Sequence, residues 1–130
     1  MQDPVHGSFK VWLEGHLVYC DYAEGFNAAG VRAITEEILR VAAPVTKWVM
    51  LQRPEPSAGI TYDAIELMYQ SYVQLQRAGC LAVGLHENSI YVHAGRFRKD
   101  GELTMPIVID KDIPKLMDFL NQTLEKNKIF

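Results

Sequence analysis

The sequence predicts an α/β domain, and three stretches carry that prediction. Residues 8–14 alternate between two faces with the period of a half-buried strand, Gly15 turns the chain, and 16–22 continues as a second strand, the signature of an antiparallel hairpin. Residues 47–53 form a short apolar run that passes into a loop of Pro54, Pro56, Ser57 and Gly59, and then into a helix-patterned segment over 61–78. Residues 105–109 form another short, largely β-branched run, followed by apolar residues at helical spacing as far as Leu124. Strand–loop–helix units of this kind bind ligands where strands end and helices begin, because free N–H groups and the helix dipole collect there. The loop 54–61 is therefore the first candidate site.

In order, Phe9, Val11 and Leu13 line one face of the first strand, and Lys10, Trp12 and Glu14 line the other. The second strand spans 16–22, with Leu17 and Tyr19 alternating against Val18 and Cys20. His16, at the turn, reads as a solvated side chain, since no second ligand stands nearby at a metal-binding spacing. After the break at 24–27, Asn27 is placed to cap a helix whose apolar face is Val31, Ile34, Ile38 and Val41, and Pro44 stops that helix. The third strand, 47–52, is nearly continuously apolar, as a strand covered on both faces should be.

Thr61 is placed as the cap of the second helix, with Asp63 in its first turn. Ile65, Met68, Tyr69, Tyr72 and Leu75 form the inner face, Glu66, Gln70 and Gln74 the outer, and Gly79 the stop. The Met and Tyr stripe reads as core packing ahead of an aromatic ligand cavity. A fourth strand covers 80–85. Residues 88–98 fit both periods, since Ile90, His93, Ala94 and Phe97 suit a helix while Ile90, Val92 and Ala94 suit a strand. A fifth strand spans 105–109. Asp112 then caps a last helix with Ile113, Leu116, Met117, Leu120 and Leu124 inward, and 126–130 should fray.

At 130 residues and 48% hydrophobic, the chain reads as one domain over 1–130, able to bury a core without disulfides or metal. Its net charge of −3 is spread over both signs, and Arg96, Arg98 and Lys99 are too few to track a phosphate backbone, so no nucleic-acid partner is expected. Cys20 and Cys80 stand far apart in apolar segments and read as small buried hydrophobes in a reducing compartment. Residues 1–4 lack the basic-then-apolar pattern of a signal peptide, and no apolar run is long enough for a bilayer. A cytoplasmic protein with no membrane span is the expectation.

With 88–98 taken as a short helix, the order of elements from Phe9 to Glu125 resembles the STAS and SpoIIAA-like family. The resemblance implies a single mixed five-stranded sheet, an antiparallel first strand at its edge, and helices packed mainly on one face. In the anti-sigma-antagonist branch of that family, the loop after the third strand carries Asp-Ser-x-Gly, whose serine is phosphorylated by a partner kinase. The matching stretch here is Pro56-Ser57-Ala58-Gly59, with Ser57 and Gly59 in place and the Asp replaced by Pro56. The alternative for Ser57 is a plain turn residue. The SpoIIAA-like branch does not require the motif and is similar in fold to lipid-binding CRAL-TRIO domains, which implies an apolar pocket between sheet and helices.

No catalytic signature is present. Gly-x-Gly-x-x-Gly, the phosphate-binding Gly-x-x-x-x-Gly-Lys, His-Glu-x-x-His and Gly-x-Ser-x-Gly are all missing, and His86-Glu87 is followed by Asn88 without a second helical His. A thiol–imidazole pair from Cys20 or Cys80 with His86 or His93 depends on proximity that the sequence does not supply. Neither a cofactor nor a metal site is expected. Two functional classes follow: a non-enzymatic regulatory or protein-interaction module, and a binder of a small apolar or anionic ligand near Ser57, Gly59 and Thr61. Self-association as a homodimer is expected through the edge strand of the hairpin, where Trp12 and Tyr22 are placed.

Overall fold

The computed structural model describes residues 5–88 and 101–129. The hairpin forms as the alternation requires: β1 (Ser8–Glu14) and β2 (Leu17–Ala23) pair antiparallel in an unbroken register from Ser8↔Ala23 to Glu14↔Leu17. Gly15 takes φ 61° in the turn, a conformation that glycine adopts without steric cost. His16 is not free in solvent. Its Nδ1 donates to the Lys47 carbonyl at 2.9 Å, and its own carbonyl accepts from the Val49 N–H at 2.9 Å, so the turn is fastened to the next strand.

The chain continues through β3 (Gly25–Phe26), α1 (Ala28–Ala42), β4 (Trp48–Pro54), β5 (Gly59–Ile60), a 3-10 turn at Tyr62–Ala64, α2 (Ile65–Arg77), β6 (Cys80–His86), β7 (Ile107–Asp110) and α3 (Ile113–Lys126). The main sheet has the order β1-β2-β4-β6-β7, antiparallel at the first pair and parallel at the other three. It is a mixed five-stranded sheet with the antiparallel strand at one edge. The ambiguous stretch 88–98 lies, apart from Asn88, outside the described residues.

Parallel strands that advance one way across a sheet need right-handed crossovers, which puts α1 and α2 on the same face. There Val18, Cys20, Ile38, Trp48, Met50, Tyr72, Leu75, Cys80 and Val83 form the larger core cluster. The third helix follows the last strand and folds back over the opposite face, where Leu116 and Leu120 meet Leu17, Val49, Leu51 and Ala82. Two of the three described helices thus share one face. The third explains why β4 is apolar on both sides.

Local chemistry sets the ends of the elements. The Asn27 side chain accepts from the Gly30 N–H at 2.8 Å and starts α1 as expected. Asp112 occupies the N-cap position of α3, but its side chain makes no capping bond. Thr61 precedes the 3-10 turn and not α2, whose N-cap position falls to Ala64, and it too makes no side-chain capping bond. At α3 it is the Asp110 carboxylate that accepts from the Asp112 N–H, at 2.7 Å. The α1 stripe runs through Val31, Thr35, Ile38 and Ala42, with Val41 only half-buried. Thr35 is tolerated inside because its hydroxyl donates to the Val31 carbonyl at 2.6 Å and accepts from the Ser71 hydroxyl at 2.5 Å.

Gly79 ends α2 at φ 113°, so close to the chain before β4 that a Cβ there would lie 2.0 Å from the Thr46 carbonyl oxygen. Beside it Trp48 is fully buried, and its indole N–H donates to the Ala78 carbonyl at 3.4 Å. The Gln76 side chain holds the approach to β7: it donates to the Glu102 carbonyl and accepts from the Thr104 and Met105 N–H groups, each at 2.8 Å.

The carboxyl end of α3 does not fray over its described residues. Lys128 adopts φ 58°, its N–H donates to the Glu125 carbonyl, and the Ile129 N–H donates to the Leu124 carbonyl, both at 2.9 Å. These two bonds form a Schellman motif.

Candidate functional site

The connections after β2 and β4 are stitched to one another above the sheet. A two-residue parallel bridge pairs Gly25 with Gly59 and Phe26 with Ile60. Around it the Glu55 N–H donates to the Tyr22 carbonyl (2.7 Å), the Gly59 N–H to the Glu24 carbonyl (2.9 Å) and the Thr61 N–H to the Phe26 carbonyl (2.9 Å). Ser57 belongs to this clasp. It is exposed, and its Oγ accepts from the Glu24 N–H at 3.1 Å, where Glu24 holds φ 68°. Thr61 is exposed, and its carbonyl accepts from the Ala64 N–H at 3.0 Å.

Beneath the clasp is a partly open cavity of about 80 Å³ between the strand ends and helices α1 and α2. Pro54, Ala58, Gly59 and Ile60 border it, so the loop proposed from sequence does roof a pocket; of its three candidate residues only Gly59 is in the lining, while Ser57 and Thr61 stand outside. The walls are Val31, Ile34 and Ile38 from α1 and Met68, Ser71 and Tyr72 from α2. Tyr22 lies on β2, an interior strand, with its ring at the cavity. It is not on the edge strand with Trp12, where the hairpin reading had put it. The α2 stripe serves both packing and pocket, since Tyr72 is buried in the core cluster and also faces the cavity.

The described lining residues include no Lys, Arg, His, Asp or Glu. Its polar features are neutral. Gln52 is 7% exposed and its Oε1 accepts from the Tyr72 hydroxyl; the amide nitrogen has no partner among the described residues. A hydroxyl can donate or accept, so exchanging the amide's O and N would still leave one end of Gln52 free. Burial holds the Tyr72 phenol well above its ordinary range, and Cys20 and Cys80 nearby add to that. Tyr22 is raised likewise, by burial first and then by Tyr72 and Cys20. Both phenols are therefore neutral hydrogen-bonding groups at physiological pH and not bases.

The thiols are equally unreactive. Burial pushes Cys80 up to about 12 and raises Cys20, where the Asp21 charge adds to it. Nucleophilic chemistry needs the thiolate, which neither residue supplies near neutrality. Both cysteines are free and buried. His86 directs its Nε2 to the Lys111 carbonyl at 3.2 Å, and His93 lies outside the described residues. Among the described residues no three His, Cys, Asp or Glu side chains converge as a metal site, and no helix is long and apolar enough to cross a membrane.

Gln52 and Tyr22 escape sequence reasoning about function. The available signal is a glutamine that closes an otherwise apolar strand, Val49-Met50-Leu51-Gln52, where a buried amide needs partners. Set against protein-family models, curated proteins and solved structures, the chain has no match.

Proposed function

We propose that this chain is a non-enzymatic binding module that holds a small, neutral, mainly apolar ligand under the 54–61 loop. The observation that carries the reading is Gln52: a buried amide, one end of it unpartnered, facing an apolar cavity. Leaving such a group unsatisfied costs about 1–3 kcal/mol, which a ligand acceptor would offset. An anion is disfavoured because no charged group among the described lining residues compensates its desolvation. The volume exceeds what one water needs, about 10–15 Å³, and falls below the ~300 Å³ of drug-sized pockets. The ligand is then a molecule of few heavy atoms, or the end of a longer one.

The order of elements supports placing the module with STAS/SpoIIAA-like domains. One observation favours a second reading, regulation through the same loop: Ser57 is exposed and its hydroxyl is part of the clasp, so a phosphate there would act directly on the roof of the cavity.

The test is a thermal-shift panel of neutral carbonyl compounds, their matched hydrocarbons and organic anions, with native mass spectrometry of the protein as purified. A carbonyl compound at 100 times its Kd should stabilise the fold by about 2.7 kcal/mol, its hydrocarbon match less, and anions not at all. In Gln52→Leu the preference for the carbonyl over the hydrocarbon should disappear. No shift with any neutral compound, together with apoprotein alone in the spectrometer, would overturn the reading.

A further inference from the structure

A sheet edge presents a row of unpaired N–H and C=O groups, and proteins commonly blunt it with proline, a bulge or a very short strand. The β1 edge has none of these; the one edge device it carries is charge, in exposed Lys10 and Glu14, and those two are opposite in sign. It runs seven residues without a proline, its register with β2 is unbroken, and no backbone hydrogen bond reaches its outer side from any described residue. The opposite edge, β7, is four residues long.

On the α3 side of the sheet, no helix among the described residues makes more than slight contact with β1. The third helix lies mainly on β4, β6 and β7 and meets the hairpin through the cluster of Leu17, with Tyr19 packed against it, leaving the Trp12 side to the hairpin's own side chains. There the Trp12 and Tyr19 rings stack at 5.0 Å with an interplanar angle of 7°. The Arg53 guanidinium sits 5.6 Å from the Trp12 ring centre and 5.5 Å from that of Tyr19, and Asp21 holds it through two bonds of 2.7 and 2.9 Å. Lys10 and Glu14 flank Trp12 on the same face. Both are exposed, and neither has an ion-pair partner among the described residues.

We infer that β1 is a self-pairing strand: two copies of this chain join antiparallel through their β1 edges, with Trp12 on the two-fold axis. Two strands related by a two-fold must keep their faces aligned, so only every second register is allowed. With Trp12 on the axis, Lys10 of each copy lies directly opposite Glu14 of the other, and Val11 opposite Leu13. Two ion pairs and two apolar pairs then flank a central Trp12–Trp12 contact. Opposite charges and aromatic pairs across neighbouring strands each stabilise an antiparallel ladder. The allowed register centred on Val11 would put Glu14 opposite Ser8 and form no ion pair, so charge complementarity selects the Trp12 register. The product is a continuous ten-stranded sheet, with two aromatic stacks meeting at its centre.

This pairing leaves the cavity on the other face untouched and is tested apart from it. Sedimentation equilibrium should show twice the 14.7 kDa chain mass at micromolar concentration. Lys10→Glu and Glu14→Lys, each setting like charges opposite one another, should weaken the dimer about tenfold or more, with the melting temperature of the monomer kept. The double variant Lys10→Glu/Glu14→Lys restores the opposite pairs and should recover wild-type association. A wild-type monomer up to ~100 µM would overturn the inference. So would a dimer indifferent to both single changes, or a double variant no better than the singles.

Discussion

Ser57 illustrates how one hydroxyl can belong to a turn and to a site at once. Its oxygen satisfies the N–H of Glu24, a residue held at φ 68° where a side chain is disfavoured. Ser57→Ala removes the acceptor and should lower stability by about 0.5–1 kcal/mol in urea melts, a typical net value for one hydrogen bond. Ser57→Asp retains an acceptor and should lose less. Equal losses for the two variants would show that the contact contributes nothing. Regulation through the loop predicts a further difference: bait proteins carrying Ser57→Ala and Ser57→Asp should capture different partners from the source cell. Identical partner sets would leave Ser57 as a structural latch.

At the scale of elements, the end of α3 offers a clean measurement. Lys128 occupies the left-handed position of the Schellman motif, where glycine is the usual residue. Lys128→Gly should stabilise the protein by up to about 1 kcal/mol, read as a higher urea midpoint with an unchanged slope. A lower midpoint would mean that the lysine side chain contributes more than its backbone strain costs. Much at this scale was legible in the sequence because it is local. Alternation set both ends of β1, Asn27 named the start of α1, and the nearly continuous apolar run of β4 marked a strand covered on both faces. What was not legible depends on pairs distant in the chain. The bridge of Gly25-Phe26 to Gly59-Ile60 is two residues long and leaves no periodic trace. Thr35 is buried only because Ser71 comes to meet it from another helix. The cavity exists only once Tyr22, Gln52 and Tyr72 arrive from three separate elements.

For the whole molecule, the buried acids of the larger core predict an alkaline limit. Burial holds the Cys20, Cys80, Tyr22 and Tyr72 protons above the ordinary values of 9.0 for the thiol and 10.0 for the phenol. As pH rises, the unfolded chain therefore loses these protons first, and the equilibrium moves toward it. Stability from these groups is complete below about pH 9 and is lost as pH climbs through the unfolded values toward the raised folded ones. Urea midpoints at about pH 8 and about pH 10.5 should fall in that order, and Cys80→Ala should reduce the difference. A flat profile would contradict burial of the four groups. The clasp over the cavity carries a consequence of another kind, for the tempo of binding. The segments after β2 and β4 share the bridge, three backbone bonds and the Ser57 contact, so neither lifts without the other. Exposing the cavity from above is a joint, local unfolding event. Ligand exchange by that route is then limited by how often the roof opens, giving an association rate below the usual 10⁵–10⁷ M⁻¹s⁻¹ and a correspondingly long residence even at modest affinity.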